Sequence, residues 1–266
     1  MKVRAKKHLG QHFLTNDKIA SDIATSLQSK NFTKVLEIGP GTGVLTKVLM
    51  PIHGENLTVI DIDTESIVYL RKNFKALGDR IIEGDFLHMR ISDITEEKIA
   101  LIGNYPYNIS TQIMFKVFEN KDQIVECSGM FQKEVAVRIA SKPGNKQYGL
   151  TSVLLQTWYD IEYLFSVGPE NFDPPPKVNS GVIRLTRNKR TELPFPEKFY
   201  KRVVKTSFGQ RRKTLRNSLK SMLNEFKVEL PEKYVGQRPE QLDVEQFLEI
   251  TQLLYDVSQS SNITSE

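Results

Sequence analysis

The sequence predicts an α/β fold, a doubly wound and mostly parallel sheet, with a smaller all-helical domain after it. Three observations predict this. Residues 35–38 (Val-Leu-Glu-Ile) form a short apolar run, glycine follows at Gly39, Gly41 and Gly43, and Leu45, Val48 and Leu49 then recur at helical spacing. Strand-like and helix-like stretches alternate from there to about residue 186. Residues 187–197 then turn to charge and proline, and no strand pattern follows them. The expected boundaries are 1–188 for the α/β domain, 189–257 for the helical domain and 258–266 for a disordered tail rich in Ser, Asn and Gln.

Taken in order, residues 2–12 form a basic arm, with Leu9, Phe13 and Leu14 as apolar residues that need something to pack on. Asn16 or Asp17 can cap a helix carrying Ile19, Ile23, Ala24 and Leu27. After the glycine turn, residues 57–62 read as the second strand, ending in Asp61 and Asp63, and Ile67, Leu70 and Phe74 mark a helix. Residues 80–83 make a third strand ending at Asp85, and residues 100–103 a fourth ending at Asn104-Tyr-Pro-Tyr107. A helix over 111–119, a strand over 129–132, helices over 133–140 and 148–158, and strands over 159–167 and 178–186 complete the alternation. Between the last two strands stand three consecutive prolines, 174–176, which force a rigid extended segment just after Phe172. In the C-terminal part, Pro196 opens a helix with Phe199, Val203 and Val204. A second helix is expected over 211–224, with Leu215, Leu219, Met222 and Leu223 inward. A third starts near Pro239, with Glu240 and Asp243 in its first turn and Leu242, Phe247, Ile250, Leu253 and Leu254 on its apolar side.

Composition narrows the class. A mean hydropathy of −0.36, with no apolar run near 18 residues, argues against a membrane span. Basic residues at the N-terminus are not followed by an apolar stretch, so no signal peptide is expected and the simplest location is cytoplasmic. The single cysteine, Cys127, excludes an intrachain disulfide and a cysteine-cluster metal site. The net charge of +5 is modest, so what matters is where the charge lies.

The glycine turn points to a ligand at the carboxyl end of its strand. It lacks the lysine of a phosphate loop and the spacing of a dinucleotide turn. Glu37 lies two positions before the first glycine, where it would repel a pyrophosphate and attract a cation. S-adenosylmethionine has no phosphate and carries an ammonium and a sulfonium, which suits that carboxylate. Asp61 stands about twenty residues past the turn, the place where doubly wound folds set an acid against ribose hydroxyls. An acid at one strand end is commonly a helix cap; three acid-bearing strand ends and a fourth with a polar–aromatic cluster converge on one crevice.

Asn104-Tyr105-Pro106-Tyr107 is the most informative tetrapeptide. An exocyclic amine on a base is a poor nucleophile because its lone pair is delocalised into the ring. A site that alkylates it must accept hydrogen bonds from its N–H groups and stabilise positive charge on the nitrogen. An asparagine oxygen and the carbonyl before a proline are acceptors, and an aromatic face stabilises a cation and stacks an extruded base. Tyr107 and Phe172 are the two aromatics expected to clamp the base. A proline turn with aromatics packed in a core is the alternative for this segment alone. At 100° per residue, Lys213, Arg216 and Lys220 share a stripe opposite Leu215, Leu219 and Met222, with Arg211 and Arg212 just before. No acid intervenes until Glu225, which favours a phosphate-binding face over a merely solvated one.

Glu37-Ile-Gly-Pro-Gly-Thr-Gly43 together with Asn104-Tyr-Pro-Tyr107 resembles the ribosomal RNA adenine N6-dimethyltransferase family. Phe172-Asp-Pro-Pro-Pro-Lys-Val-Asn-Ser180 and Phe208-Gly-Gln-Arg-Arg-Lys-Thr-Leu-Arg216 are similar to its KsgA-type, small-subunit branch. The resemblance runs from about residue 6 to residue 254. It implies a Rossmann-like class I methyltransferase domain and the cofactor S-adenosyl-L-methionine, released as S-adenosyl-L-homocysteine, with no metal. The implied activity is dimethylation of two adjacent adenosines near the 3′ end of 16S rRNA, on an assembling 30S ribosomal subunit, by a monomer. By the same resemblance His12 and Leu14 lie over the cofactor, with Glu37, Gly39 and Gly41 at its methionine end. Asp61 holds the ribose, Asp85 accepts from the adenine amino group, Asn104 spans cofactor and target, and Tyr107 and Phe172 hold the target base. Two positions depart from the family pattern: Tyr105 replaces the usual leucine or isoleucine, and His12 replaces an asparagine. Two alternatives stand beside this reading. One is an Erm-type enzyme methylating 23S rRNA, and the other is a non-catalytic assembly factor that keeps the fold.

Overall fold

A computed structural model describes residues 3–263, with side chains described up to residue 260. Lys2 of the basic arm and residues 264–266 of the expected tail lie outside the described residues. In chain order the first elements are β1 (Phe13–Leu14), α1 (Asp17–Ala24), β2 (Lys34–Ile38), α2 (Val44–His53), β3 (Leu57–Asp61) and α3 (Thr64–Asn73). They continue with β4 (Ile81–Glu83), β5 (Ile99–Asn104), α4 (Ser110–Glu119), β6 (Ile124–Gln132), α5 (Lys133–Ala140) and α6 (Leu150–Gln156). Then come β7 (Tyr159–Val167), β8 (Phe172–Asp173) and β9 (Ser180–Arg187). The remainder is helical: α7 (Glu197–Gly209), α8 (Leu215–Ser218), α9 (Lys220–Phe226), α10 (Glu232–Val235) and α11 (Val244–Ile263).

Contacts sort the chain into two compact units, residues 1–137 with 159–188, and residues 138–158 with 189–266. The expected α/β domain over 1–188 is therefore interrupted: the chain leaves the first unit within α5 and returns at β7. The reason is visible around α6, which buries Val153, Leu154 and Leu155. Just beyond it the Thr157 and Tyr200 hydroxyls hydrogen-bond at 2.9 Å, which ties this stretch to α7.

The first unit holds a seven-stranded sheet of order β4-β3-β2-β5-β6-β9-β7. Strands β2 to β6 are parallel and only β9 runs against its neighbours. The central strands are near-continuous apolar runs, as strands covered on both faces must be; Ile99–Ile102 of β5 are fully buried. From β2 the chain crosses to β3 on one side and later to β5 on the other, so the topological switch point lies between β2 and β5. The crevice of such a sheet opens there, beyond the carboxyl ends of the strands. Gly39 and Asn104 stand at those two ends.

Tyr105, the residue that departs from the family pattern, lies directly beneath this crevice and is 1% exposed. Its ring stacks on Phe131 at 4.6 Å, and its hydroxyl donates to the Ser128 carbonyl at 3.1 Å. Room for the ring comes from two glycines in adjacent strands, Gly103 and Gly129. A buried tyrosine whose hydroxyl has a partner does not incur the desolvation cost of an orphaned one.

Two sequence expectations are corrected, and one pairing is added. The single helix over 211–224 is instead a turn at 211–213 followed by α8 and α9, which break at Leu219. The buried residues Leu215, Leu219 and Met222 are placed inward as expected, but packing bends the backbone between them. Lys213 thus precedes the helix, and the straight stripe through Lys213, Arg216 and Lys220 does not form. Residues 258–263, expected to be disordered, continue α11. The periodic run that includes Phe247, Ile250 and Leu254 carries the helix past the polar change in composition. Finally, β1 and β8 pair antiparallel, Phe13 opposite Asp173 and Leu14 opposite Phe172, so the basic arm is strapped to the proline segment. Two-residue strands carry no periodic signal, which is why the sequence did not show them. No described helix is long and apolar enough to cross a membrane.

Candidate active site

Three glycines form the turn, and the first two line the floor of the crevice. All three have positive φ: 68° at Gly39, 55° at Gly41 and 78° at Gly43. That region is open to glycine at no steric cost. At Gly41 the space is also taken, because a Cβ there would lie 2.7 Å from the Phe13 ring. At Gly39 a Cβ would meet Pro106 at 3.6 Å, so the turn and the Asn104–Tyr107 segment are in near contact.

The crevice encloses about 1060 Å³ and is lined by the turn, by Glu37, Asp61, Ile62 and Asp85, by Asn104 to Ile109, and by Leu9 to Leu14 of the arm. Each acid has a defined partner set. Glu37 is buried and accepts from the Thr46 hydroxyl at 2.7 Å. Burial pushes its carboxyl up to about 8, with Thr46 opposing and Asp61 adding to the rise. Asp61 is 5% exposed and accepts from the backbone N–H groups of Gly41 at 3.0 Å and Asp63 at 2.9 Å, one on each oxygen. Burial raises its carboxyl too, and those backbone donors pull the other way. Each Asp61 oxygen keeps a lone pair for a further donor. Asp85 accepts from Leu87 N at 2.9 Å and pairs with His88 at 2.7 Å. Lys116 holds the same loop through the carbonyls of Leu87 and Met89.

Asp63 has a different task. It caps α3 through Glu65 N, binds the Ser66 hydroxyl and takes Lys6 and Gln11 from the arm. Burial pushes its carboxyl up, but those partners outweigh it and hold it below the ordinary carboxylate value. The arm is pinned at further points. The Asn108 amide donates to His8 O at 3.3 Å, and the Asn104 amide donates to His12 O at 2.8 Å. His12 Nδ1 faces the Pro174 carbonyl at 2.7 Å and, against that acceptor, must carry the proton.

Among the expected site residues, the structure brings together His12, Leu14, Glu37, Gly39, Gly41, Asp61, Asp85, Asn104 and Tyr107 around one crevice. Phe172 is the exception and corrects the expected clamp. It is 5% exposed, packs in the apolar cluster with Leu14, Val167 and Val182, and lines neither this crevice nor the cleft beside it. The β1–β8 pairing covers it. The Tyr107 hydroxyl is held by Ser180, a partner on β9 that sequence spacing could not supply. Arg211, Arg212, Lys213, Arg216 and Lys220 belong to the second unit; all but the partly buried Arg211 are exposed. Arg211 donates to the Lys146 carbonyl and is the most restrained of the five. Two site residues were missed in the sequence. Phe13 lies against Gly41, and Ile62 is 51% exposed on the crevice rim between two acids. An apolar residue flanked by Asp61 and Asp63 at a strand end was the available signal for Ile62.

The Glu37 environment has a measurable consequence. Its ordinary value is 4.5 and its folded value about 8, so between these the folded protein binds more protons than the unfolded chain. Stability therefore falls as pH rises through that window. Glu37→Gln keeps an acceptor for Thr46 and removes the titration. The melting temperature of the variant, measured beside the parent, gains on it steadily from pH 5.5 to 8; a constant difference would refute this.

A sheet with this order, an acid-lined crevice at its switch point and a glycine turn without phosphate-binding features defines a class I S-adenosylmethionine-dependent methyltransferase. Known structures share the architecture. A dimethyladenosine transferase from Plasmodium falciparum aligns with a TM-score of 0.76 at 24% identity, covering 93% of this chain and 98% of that one. The 23S rRNA methyltransferase ErmE aligns with a TM-score of 0.65 at 25% identity, covering 89% and 98%. The model of the ribosomal RNA adenine dimethylase family matches residues 2–256, and the chain belongs to that family. The ribosomal RNA small subunit methyltransferase A of Porphyromonas gingivalis is 57% identical over 256 residues, 96% of this chain and 99% of the relative. The chain is thus an S-adenosylmethionine-dependent rRNA adenine dimethyltransferase. Its donor set fits that cofactor: Asp61 keeps a lone pair on each oxygen for hydroxyl donors, and among the described residues no Lys or Arg lines the crevice to hold a phosphate.

Proposed function

We propose that the protein methylates N6 of two adjacent adenosines near the 3′ end of 16S rRNA, dimethylating each, on the assembling 30S subunit. It acts in the cytoplasm, as a monomer and without a metal. The observation that carries this reading is the near contact of the glycine turn with the Asn104–Tyr107 segment, which sets a cofactor floor beside an amine-accepting wall. The choice of small over large subunit leans on the 57% identity to a small-subunit relative, against 25% to ErmE.

S-adenosyl-L-methionine supplies an electrophilic methyl group and leaves as S-adenosyl-L-homocysteine. The chain's own residues do the rest by position and charge. Asp61 receives ribose hydroxyls, Asp85 the adenine amino group, and Ile62 one face of that adenine. Glu37, with Gly39 and Gly41, receives the methionine end, and Phe13, Leu14 and His12 cover it. The Asn104 amide nitrogen is held by His12 O, which leaves its oxygen as the acceptor for the target N6–H. The Tyr105 carbonyl, before a proline, is a second acceptor. Tyr107 stacks on the base and stabilises positive charge as the nitrogen lone pair bonds to carbon and the carbon–sulfur pair returns to sulfur. The N6 proton, made acidic by that bond, passes to solvent, so no strong base is required. Phe172 anchors the arm rather than the base.

The test is mass mapping of methylated adenosines in small-subunit rRNA from cells with and without the protein. Loss of dimethyl marks on two adjacent adenosines supports the reading; marks unchanged, or lost from 23S rRNA instead, overturn it. The second unit supplies RNA affinity through Arg211, Arg212, Lys213, Arg216 and Lys220. Reversing Lys213 and Arg216 to Glu weakens binding to small subunits at least about tenfold at ~0.1 M salt and flattens its salt dependence by roughly 0.7–0.9 per phosphate lost. Cofactor affinity stays as in the parent, and unchanged subunit affinity would refute the assignment.

A further inference from the structure

Beside the crevice lies a second cleft of opposite electrostatic character. It spans about 940 Å³, counting space open to solvent. Lys7 of the arm and Lys177 of the proline segment line it, both exposed, and among the described residues no Asp or Glu does. The crevice is the reverse, lined by Glu37, Asp61 and Asp85 and, among the described residues, by no Lys or Arg. Gly10, Gln11, His12 and Tyr107 line both and form the partition between them.

One wall is Pro174–Pro176 with Val178, which is 45% exposed, and Ala5, Gln11 and Gln132 line the cleft as well. Proline has no N–H, so this wall offers rings and carbonyls but no backbone donors to an anion. One of those carbonyls, that of Pro174, is already taken by His12. The two lysines therefore supply the cleft's full positive charges, beside the neutral amides of Gln11 and Gln132, and the apolar wall suits the flat, weakly polar faces of ribose and base.

We infer that this cleft is the subsite for the single-stranded RNA backbone next to the target adenosine, with Lys7 and Lys177 bound to flanking phosphodiesters. The inference rests on the function proposed above and deepens it. Charge complementarity argues for a polyanion, and continuity through Tyr107 places that polyanion on the same strand as the stacked base. The division also keeps the two ligands apart: the crevice offers a phosphate no lysine or arginine among the described residues, and the lysines that hold phosphates repel the sulfonium. A strand crossing the partition delivers only its uncharged base to the crevice. Lys7 and Lys177 thus set which stretch of strand is in register with Tyr107.

The test is steady-state methylation of small ribosomal subunits lacking the modification, comparing the parent with Lys7→Glu/Lys177→Glu and with the arginine pair Lys7→Arg/Lys177→Arg. The expected result is a KM for subunits raised at least about tenfold in the glutamate pair, kcat within about twofold, and S-adenosylmethionine affinity unchanged. The arginine pair returns KM to within about threefold, which a folding defect would not. An unchanged KM overturns the subsite, as does a fall in kcat alone, which would make the lysines parts of the catalytic centre. The parent separates this inference from the proposed function. If it methylates large subunits instead, the function fails, and the ratio of variant to parent on that substrate still decides the cleft.

Discussion

Replacing Asn104 by Ala lowers kcat for methyl transfer by at least about 10³-fold while leaving small-subunit affinity within about threefold. The side chain has two jobs on one amide. Its nitrogen donates to His12 O at 2.8 Å, joining the strand end to the arm that covers the crevice. Its oxygen is left to accept from the target amine, and this contact strengthens as the amine becomes cationic. Removing one preorganised polar contact of this kind costs on the order of 10²–10³ in rate, and release of the arm adds to it. Subunit affinity changes little because Lys177 and the exposed cations of the other unit, to which most phosphate contacts are assigned, are left in place. The measurement is single-turnover methylation of unmodified small subunits alongside a pull-down of the same subunits. A variant with more than a tenth of the parental rate would remove Asn104 from the mechanism.

Gly129→Ala is expected to destabilise the protein by more than about 4 kcal/mol, beyond what single substitutions usually do. Gly129 lies mid-strand in β6 with a φ of 147°, where side-chain-bearing residues are strained. A Cβ there would lie 2.2 Å from the Gly103 carbonyl oxygen and 2.6 Å from the Tyr105 ring. The first contact is backbone of the neighbouring strand, which cannot move without lengthening the ladder between β5 and β6. Tyr105→Leu in the same chain relieves only the ring contact, so the double variant regains little. Denaturant unfolding of the parent, the single and the double variant measures this. A single variant within about 1 kcal/mol of the parent would show that the strands adjust. The same geometry explains how this chain accommodates tyrosine where its family resemblance predicts leucine or isoleucine: Phe131 supplies the stacking face and Ser128 the hydroxyl's partner.

The sequence by itself determined the sheet, the switch-point crevice and most of its lining, because these depend on local signals. Apolar runs, glycine in the left-handed region and acids at strand ends are each written within a few residues. It also carried the cofactor class, since a glycine turn with neither a phosphate-loop lysine nor dinucleotide spacing disfavours the phosphate-bearing cofactors. Tertiary structure alone decided what depends on pairs far apart in the chain. Phe172 reads as a base clamp beside three prolines, yet pairing with Leu14 puts it in the core. Asp63 reads only as the second acid at a strand end, and Lys6 and Gln11 make it the anchor of the arm. The basic stripe drawn on a straight helix became a turn and two short helices. The physical reason is the same each time: residue type and spacing fix what a side chain can do, while its partner, supplied 50 to 160 residues away, fixes which of those things it does.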